Sequence, residues 1–331
     1  MDRIRKHVAS AGRPEVVGGI GGFGGCFAFD PTRYTEPVLV ASTDGVGTKV
    51  AVARAARRYD TVGIDLVAMV VDDLVCVGAE PLFLLDYVST GRLDPEQMEQ
   101  LVSGVAAGCR TAGCALLGGE MAEHPGLMPA GDFDLAGFAV GVVERQAMLG
   151  ADRVAPGDVL VGLASPGLRS NGYTLARHVL LERAGRAFDD PAWDGADHSM
   201  ADELLRPSVI YAPGVLAAVA AAAGGVHAVA HITGGGIAGN LRRVMPAGCD
   251  GVVDRSTWEL PRVFAEIQRL GDVDDAEMTR VFNLGLGMVL TVDPRAVDAV
   301  IGALGDAGYA SAAIVGQVTT GSGMVRWADR P

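Results

Sequence analysis

The sequence predicts an α/β protein of the α+β type that is divided into two domains. Its length of 331 residues favours two domains and leaves ample chain for a sizeable core. With 49% apolar residues, 46 glycines and 20% charged residues, the composition is typical of a compact globule and not of a disordered or fibrous chain. Short apolar runs that end in glycine turns recur in both halves, and the polar stretch at 150–157 indicates a boundary between domains at 1–150 and 151–331.

Charge and cysteine content exclude several classes of protein. The formal net charge of −13 argues against a general binder of nucleic acid or of anionic membranes. The five cysteines are odd in number and contain no Cys-x-x-Cys pair, so reduced thiols fit better than a disulfide framework or a zinc ribbon. Residues 1–17 lack the apolar core of a signal peptide, and the alanine-rich run at 215–230 is interrupted by glycines and a histidine. We therefore expect a cytoplasmic protein.

The first candidate site follows an apolar run at 38–41, which we expect to be a buried strand. Residues 42–49 then read Ser-Thr-Asp-Gly-Val-Gly-Thr-Lys. Glycines allow a tight turn whose N–H groups approach an anion, a carboxylate can hold a divalent cation, and a lysine can neutralise a phosphate. The motif is not a Walker loop. It indicates either a site for nucleotide phosphate and magnesium or a polar hairpin. The residues concerned are Asp44, Gly45, Gly47, Thr48 and Lys49.

A long apolar segment at 61–78 predicts a buried helix that carries three acidic residues. A spacing of seven residues returns to the same helical face, about 20° off, so Asp65 and Asp72 project together and Asp73 lies beside them. Carboxylates on such a helix are costly to bury unless they are paired or bound to a metal. The cluster therefore favours a cation site over a solvated face. Asp86, in the following strand, is either a further ligand or a cap for a nearby N–H group.

The next predicted helix begins at Asp94, an N-cap followed by proline, and can run to Gly113. A strand expected at 114–117 then ends in Gly118-Gly119-Glu120. A carboxylate at the carboxyl end of a strand lies where α/β proteins place ligand sites, so Glu120 is a candidate ligand or catalytic acid/base, with Gly119 beside it. The alternative for Glu120 is a surface charge on a loop.

The second half is expected to begin with a strand at 159–164 that leads into a polar turn at 165–173. Arg169, Ser170 and the first N–H groups of the following helix would suit a phosphomonoester. Asn171 lies in the same turn and could instead be a plain N-cap.

A second turn of this kind follows the strand expected at 226–232. It reads His-Ile-Thr-Gly-Gly-Gly from His231 onward. Three glycines alone are weak evidence, which His231 and Thr233 strengthen. Gly234 and Gly235 complete the turn. A helix at 295–308 and a strand at 313–318 are expected near the end of the domain.

Eight motifs, taken together and in their order along the chain, resemble those of the AIR synthetase (phosphoribosylformylglycinamidine cyclo-ligase) family. They are GGFGG at 21–25, STDGVGTK at 42–49, GIDLVAM at 63–69, GAEPLFLLDY at 78–87, GG-E-x-A-E-x-PG at 118–126, SNGY at 170–173, H-x-TGGG at 231–236 and FN-x-G-x-GM at 282–288. The resemblance covers roughly residues 14–320 and is jointly very specific.

The resemblance implies a homodimeric enzyme of purine biosynthesis that uses ATP and Mg²⁺. The formamide oxygen of formylglycinamidine ribonucleotide (FGAM) is phosphorylated, and the amidine nitrogen then closes the ring of 5-aminoimidazole ribonucleotide. In such a protein, domain 1–150 binds ATP and magnesium and its mixed sheet forms the dimer core. Domain 151–331 is a two-layer α/β domain that binds the phosphorylated amide substrate.

On this basis the candidate residues fall into functional groups. The candidate catalytic residues are Asp44, Lys49, Glu120 and His231. The candidate ATP-binding residues are Gly45, Gly47, Thr48, Lys49, Asp65 and Gly119. The candidate substrate-binding residues are Arg169, Ser170, Asn171, Thr233, Gly234 and Gly235. The candidate metal ligands are Asp44, Asp65, Asp72, Asp73 and Glu120.

Three features differ from the family pattern. Met121 replaces the usual threonine after Gly-Gly-Glu, and Arg169 replaces the usual histidine before Ser-Asn-Gly-Tyr. The usual N-terminal segment, which closes over the nucleotide, does not precede Arg3 in this sequence. These differences leave two alternatives open: a diverged paralogue that activates or cyclises another amide in specialised metabolism, and a non-catalytic regulatory homologue.

Overall fold

The computed structural model describes residues 2–19 and 21–328, which divide into two units. Unit 1 comprises residues 2–74, 79–146 and 204–212, and unit 2 comprises residues 75–78, 147–203 and 213–328. A short segment from the second half of the sequence, 204–212, therefore belongs to unit 1.

Unit 1 combines helices with the strands of two sheets. Its helices are α1 (Asp2–Ser10), α2 (Lys49–Ala56), α3 (Val62–Val75, whose last residue is counted with unit 2) and α4 (Pro95–Ala112). Its strands are β1 (Val16–Val17), β2 (Cys26–Phe27), β3 (Pro37–Gly45), β4 (Glu80–Thr90), β5 (Ala115–Glu123) and β6 (Phe133–Glu144). Strand β1 pairs with β2, and the other four form a sheet in the order β3-β6-β4-β5, in which β4 and β5 are parallel and the other pairs antiparallel. The mixed sheet predicted for the N-terminal domain is confirmed.

One row of residues crosses all four strands of this sheet. Asp44 pairs with Gly137, Gly137 with Asp86, and Asp86 with Gly119. A Cβ atom at Gly137 would lie 3.1 Å from Cγ of Leu66 on α3, so α3 covers the face to which this row belongs. Because residues paired directly across strands share a face, Asp44 and Asp86 lie on the α3 side of the sheet.

The opposite face of the sheet is open within unit 1. Leu39 of β3 is 64% exposed, and Phe138 and Tyr87 are each 42% exposed on the neighbouring strands. The expectation that residues 38–41 form a buried strand is wrong, because β3 is an edge strand with alternating exposure.

The predicted helices of unit 1 are present, whereas one strand is longer than predicted. Helix α4 begins where the sequence indicated, since the Asp94 side chain accepts hydrogen bonds from the N–H groups of Glu96 (2.9 Å) and Gln97 (3.5 Å). Gly113 ends the helix in the left-handed region at φ +72°. Strand β5 does not end at residue 117 but continues to Glu123, so Glu120 lies within a strand and not at its carboxyl end.

Unit 2 contains a six-stranded sheet and several short helices. Its strands are β7 (Val159–Ala164), β8 (Val226–His231), β9 (Cys249–Val253), β10 (Leu286–Val292), β11 (Ala313–Thr320) and β12 (Val325–Trp327). Its helices are α5 (Tyr173–Arg177), α6 (Met200–Leu204), α7 (Ala212–Ala221), α8 (Gly236–Leu241), α9 (Arg262–Gly271), α10 (Asp275–Val281) and α11 (Val297–Asp306), with α6 and α7 each sharing one residue with unit 1. The sheet order is β12-β9-β11-β7-β10-β8, and every pair is antiparallel except β12 with β9.

The register of this sheet brings the turns at 165–173 and 232–236 to the same end of the strands. Strand β10 lies between β7 and β8, with Leu286 opposite Ala164 and Met288 opposite His231. The turns that follow β7 and β8 therefore meet the turn that precedes β10.

Among the described residues, no helix has both the length and the apolar character needed to cross a membrane.

Candidate functional site

The glycine turn between β3 and α2 is formed as the sequence suggested. Strand β3 ends at Gly45, and α2 begins at Lys49. Gly47 has φ +56°, a backbone conformation that favours glycine. The carboxylate of Asp44 is exposed at the end of the strand, and its Oδ1 accepts a hydrogen bond from the N–H of Gly45 at 2.7 Å.

Lys49, a candidate phosphate ligand, makes an ion pair and a hydrogen bond within unit 1. Its side chain is fully buried, and Nζ lies 2.6 Å from Oδ2 of Asp65 and 2.8 Å from the carbonyl oxygen of Arg206. The ammonium group therefore points into unit 1, where its charge is paired.

Asp65 and Asp72 project from the same face of α3, as their spacing predicted, and both bind segment 204–212. Oδ1 of Asp65 accepts hydrogen bonds from the N–H (2.8 Å) and the hydroxyl (2.6 Å) of Ser208. Oδ1 of Asp72 accepts from the N–H groups of Tyr211 (2.8 Å) and Ala212 (3.1 Å). These contacts, with Lys49, supply partners for two carboxylates that would otherwise be costly to bury on an apolar helix.

Asp73, the third acidic residue of α3, is close to the end of β3. Its Oδ2 accepts a hydrogen bond from the hydroxyl of Ser42 at 3.1 Å. Ser42 and Asp44 are two residues apart on the strand, so they share a face, and Asp73 and Asp44 approach the same edge of the sheet. No group of three His, Cys, Asp or Glu side chains with the arrangement of a metal site occurs among residues 2–19 and 21–328.

The second acidic position of the sheet, Asp86, faces a cavity of about 710 Å³ in unit 1. The cavity is also lined by the glycine-rich segment at 21–25 and by Gly119 and Glu120. A Cβ atom on Gly119 would overlap Oδ1 of Asp86, so only glycine fits opposite this carboxyl group. Burial raises the pKa of Asp86 to about 7. Glu120 is exposed and pairs with Tyr87, so it belongs to the open face and not to the face that carries Asp44.

Replacing Asp86 by asparagine is expected to change how stability depends on pH. Because the pKa of Asp86 is raised above that of an ordinary aspartate, the stability associated with its protonated form is present below about pH 4 and is lost as the pH rises through about 7. The amide cannot ionise, so between pH 4 and 8 the variant should gain about 1–3 kcal/mol relative to the unaltered protein. Urea unfolding at several pH values measures this difference. The exposed Asp60 provides the control variant Asp60→Asn. Parallel pH curves for the unaltered protein and Asp86→Asn would contradict the prediction.

In unit 2, Arg169 and His231 are brought together although 62 residues separate them. A guanidinium nitrogen of Arg169 lies 2.8 Å from Nε2 of His231, and both side chains are buried. Because arginine can only donate, Nε2 accepts and the ring carries its proton on Nδ1. Arg169 has φ +62°, and Leu284, in the turn before β10, has φ +48°. Left-handed backbone at non-glycine residues often marks functional sites.

The turns after β7 and β8 lie side by side, as their predicted shared role requires. A Cβ atom on Gly234 would lie 3.4 Å from Oδ1 of Asn171. The hydroxyl of Ser170 is buried and has no hydrogen-bond partner among the described residues. Sequence reasoning missed Asn240, whose side-chain amide donates to the carbonyl oxygens of Thr233, Gly234 and Gly236 and so fixes the glycine turn. An asparagine inside a short helix after three glycines was the available signal.

Comparison of the fold defines the chain as a two-domain α/β protein of a class with several solved members. A crystal structure of hydrogenase maturation protein HypE superposes with a TM-score of 0.69 at 17% identity, covering 99% of this chain and 94% of that one. Thiamine-monophosphate kinase from Stenotrophomonas maltophilia K279a gives a TM-score of 0.67 at 20% identity, covering 99% and 95%.

Within this class, family models match almost the whole chain. The N-terminal domain model of AIR synthase related protein matches residues 28–143, and the C-terminal domain model matches residues 155–328. The chain belongs to the AIR synthase related protein family. A Myxococcus xanthus protein named phosphoribosylformylglycinamidine cyclo-ligase is 51% identical over 98% of this chain and 92% of its own length. A Symbiobacterium thermophilum protein of the same name is 52% identical over 96% and 90%. The family resemblance inferred from the motifs is confirmed.

Proposed function

We propose that the protein is an ATP-dependent cyclo-ligase of purine biosynthesis that converts FGAM to 5-aminoimidazole ribonucleotide in the cytoplasm. The observation that carries this proposal is identity of 51% and 52% to two relatives named phosphoribosylformylglycinamidine cyclo-ligase, over 92% and 90% of their lengths. Similarity of this extent covers both domains. It does not favour the alternatives of a diverged paralogue or a non-catalytic homologue.

The chemistry requires that a poor leaving group be activated. The γ-phosphoryl group of ATP passes to the formamide oxygen of FGAM. The amidine nitrogen then attacks the activated carbon, phosphate leaves with the former formamide oxygen, and a proton is lost as the ring forms. The protein supplies positioning and charge stabilisation, and holding the reacting groups together lowers the barrier to ring closure.

We assign the nucleotide side of this reaction to unit 1. The turn formed by Gly45, Gly47 and Thr48 is suited to phosphate oxygens through its backbone N–H groups. Asp44 and Asp73 offer carboxylate oxygens, the donors that Mg²⁺ prefers, and the hydrogen bond from Ser42 to Asp73 supports their proximity. Bound Mg²⁺ would neutralise charge on the phosphate groups. Glu120 lies on the opposite face and is not proposed as a ligand in the same subunit.

We assign the substrate to the adjoining turns of unit 2. Ser170 offers a buried hydroxyl without a hydrogen-bond partner among the described residues, and such a group is costly to bury unless a ligand engages it. The next residue, Asn171, lies beside Gly234 of the neighbouring glycine turn, which also contains Thr233 and Gly235. Arg169 is buried against His231 and is proposed to orient that imidazole.

The test is a direct assay of the purified protein. ATP, Mg²⁺ and FGAM together should yield ADP, phosphate and 5-aminoimidazole ribonucleotide in equal amounts, and omission of FGAM should suppress ATP turnover. Expression in a purine auxotroph that lacks this step should restore growth. ATP turnover with another amide but not with FGAM would favour the paralogue, and no turnover with any amide would favour the non-catalytic homologue.

A homodimer formed through the open face of the unit 1 sheet is part of the proposal. Leu39, Phe138 and Tyr87 form an exposed apolar surface on that face, next to the unpaired edge of β3. Such surfaces are typical of interaction sites. Sedimentation at micromolar concentration should show a dimer, and Phe138→Glu should shift it towards the monomer. Leu127, which is 82% exposed outside the strands, provides the control Leu127→Glu. A monomeric unaltered protein would contradict the dimer.

A further inference from the structure

The buried ammonium group of Lys49 joins three separate parts of unit 1. Lys49 is the first residue of α2, Asp65 belongs to α3, and Arg206 belongs to segment 204–212. Nζ lies 2.6 Å from the carboxylate of Asp65 and 2.8 Å from the carbonyl oxygen of Arg206. The contact to Arg206 spans 157 residues of sequence.

Asp65 extends this connection through its other oxygen. Oδ2 faces Lys49, whereas Oδ1 accepts two hydrogen bonds from Ser208. Both carboxylate oxygens are therefore occupied by the protein, and the carboxylate is fully buried. For Lys49 to reach a phosphate, it would have to abandon Asp65 as an unpaired charge in the interior, which is strongly unfavourable.

We propose that Lys49 is a positioning residue and not a phosphate ligand. Its contacts fix the start of α2, and with it the turn at 45–48, against α3 and segment 204–212. This inference rests on the proposed function, because that function assigns ATP phosphate to the turn. The residue acts on ATP binding only through the geometry of the turn that precedes it.

A positioning role and a phosphate contact predict different effects when Asp65→Asn is added to Lys49→Met. In Lys49→Met, the Asp65 carboxylate stays buried without its counterion, which destabilises the surroundings of the turn. In Lys49→Met/Asp65→Asn, the charge is gone, and the asparagine oxygen can still accept from Ser208. A positioning role predicts that the double variant recovers function. A phosphate contact predicts no recovery, because neither variant has the ammonium group.

ATP affinity is measured by calorimetry in the presence of Mg²⁺ for the full-length protein and both variants. We expect Lys49→Met to bind ATP about tenfold or more weakly, and the double variant to return to within about threefold of the unaltered protein. A folded double variant that remains as weak as Lys49→Met would overturn the proposal. If Lys49→Met does not fold, the ATP affinity of the double variant is compared directly with that of the unaltered protein. An affinity within about threefold supports the proposal, and one about tenfold or more weaker overturns it.

Hydrogen exchange provides a second readout that does not depend on ATP. The amides of segment 204–212 should exchange faster in Lys49→Met and regain protection in the double variant. Unchanged exchange in Lys49→Met would overturn the positioning role even if ATP affinity falls. If the unaltered protein binds no ATP, the proposed function fails, whereas the exchange measurement still decides whether Lys49 holds this segment.

Discussion

Asp44→Asn is expected to reduce ATP turnover by about a hundredfold or more while the fold is retained. The Asp44 side chain is exposed at the end of β3, and it accepts a hydrogen bond from the N–H of Gly45. Asparagine has nearly the same shape and can still accept that bond at an exposed position, so little stability should be lost. It removes the negative charge that would hold Mg²⁺ beside the phosphates, and the loss of one such electrostatic contact typically costs two to three orders of magnitude in kcat.

The measurement is kcat for ADP formation with saturating FGAM and Mg²⁺, together with the melting temperature. Asp60→Asn removes an exposed charge from the same unit and should leave kcat unchanged. If Asp44→Asn keeps more than about a tenth of the kcat of the unaltered protein, Asp44 does not hold the metal. A higher Mg²⁺ requirement in the variant would support the assignment independently.

Asp72→Ala is expected to destabilise the protein by about 2–5 kcal/mol. Oδ1 of Asp72 accepts hydrogen bonds from the N–H groups of Tyr211 and Ala212. Ala212 is the first residue of α7. Alanine would leave both donors buried without this acceptor, at about 1–3 kcal/mol each. Urea unfolding measures the loss, which amounts to a large fraction of the stability of an ordinary domain.

Its neighbour Asp73 supplies a matched control for this second prediction. Asp73 is partly exposed and accepts a hydrogen bond from the hydroxyl of Ser42. Asp73→Ala should therefore cost about 1 kcal/mol or less in stability but strongly reduce ATP turnover. Equal losses of stability in the two variants would show that the division of roles between adjacent carboxylates is wrong.

The acidic helix shows how far the sequence determines the site. The spacing of Asp65 and Asp72 correctly placed both carboxylates on one buried face of α3. What that face contacts could not be read from the sequence, because Ser208 and Tyr211 lie 143 and 139 residues away. Local periodicity shows which residues share the buried face of a helix. The segment that packs against that face is determined by long-range contacts, which periodicity does not show.

The glycine motifs show the same limit. The two glycines before Glu120 suggested the end of a strand, since glycine weakens strands in general. In the structure β5 continues through them, and the glycine at 119 leaves room for the carboxyl group of Asp86 on the neighbouring strand. By contrast, the turns after β7 and β8 were identified correctly, since each lies between a strand that ends and a short helix that begins at 173 and 236, respectively.

The inclusion of residues 204–212 in unit 1 has a consequence for synthesis on the ribosome. Unit 1 is interrupted after residue 146 and resumes only at residue 204. At about 5–20 residues per second, the last part of unit 1 leaves the ribosome several seconds after the rest. During that interval Asp65, Asp72 and Lys49 lack the groups of segment 204–212 that they bind in the finished protein. A nascent chain released at residue 150 would therefore carry polar side chains that lack their partners from segment 204–212, and we expect it to be captured by chaperones or degraded.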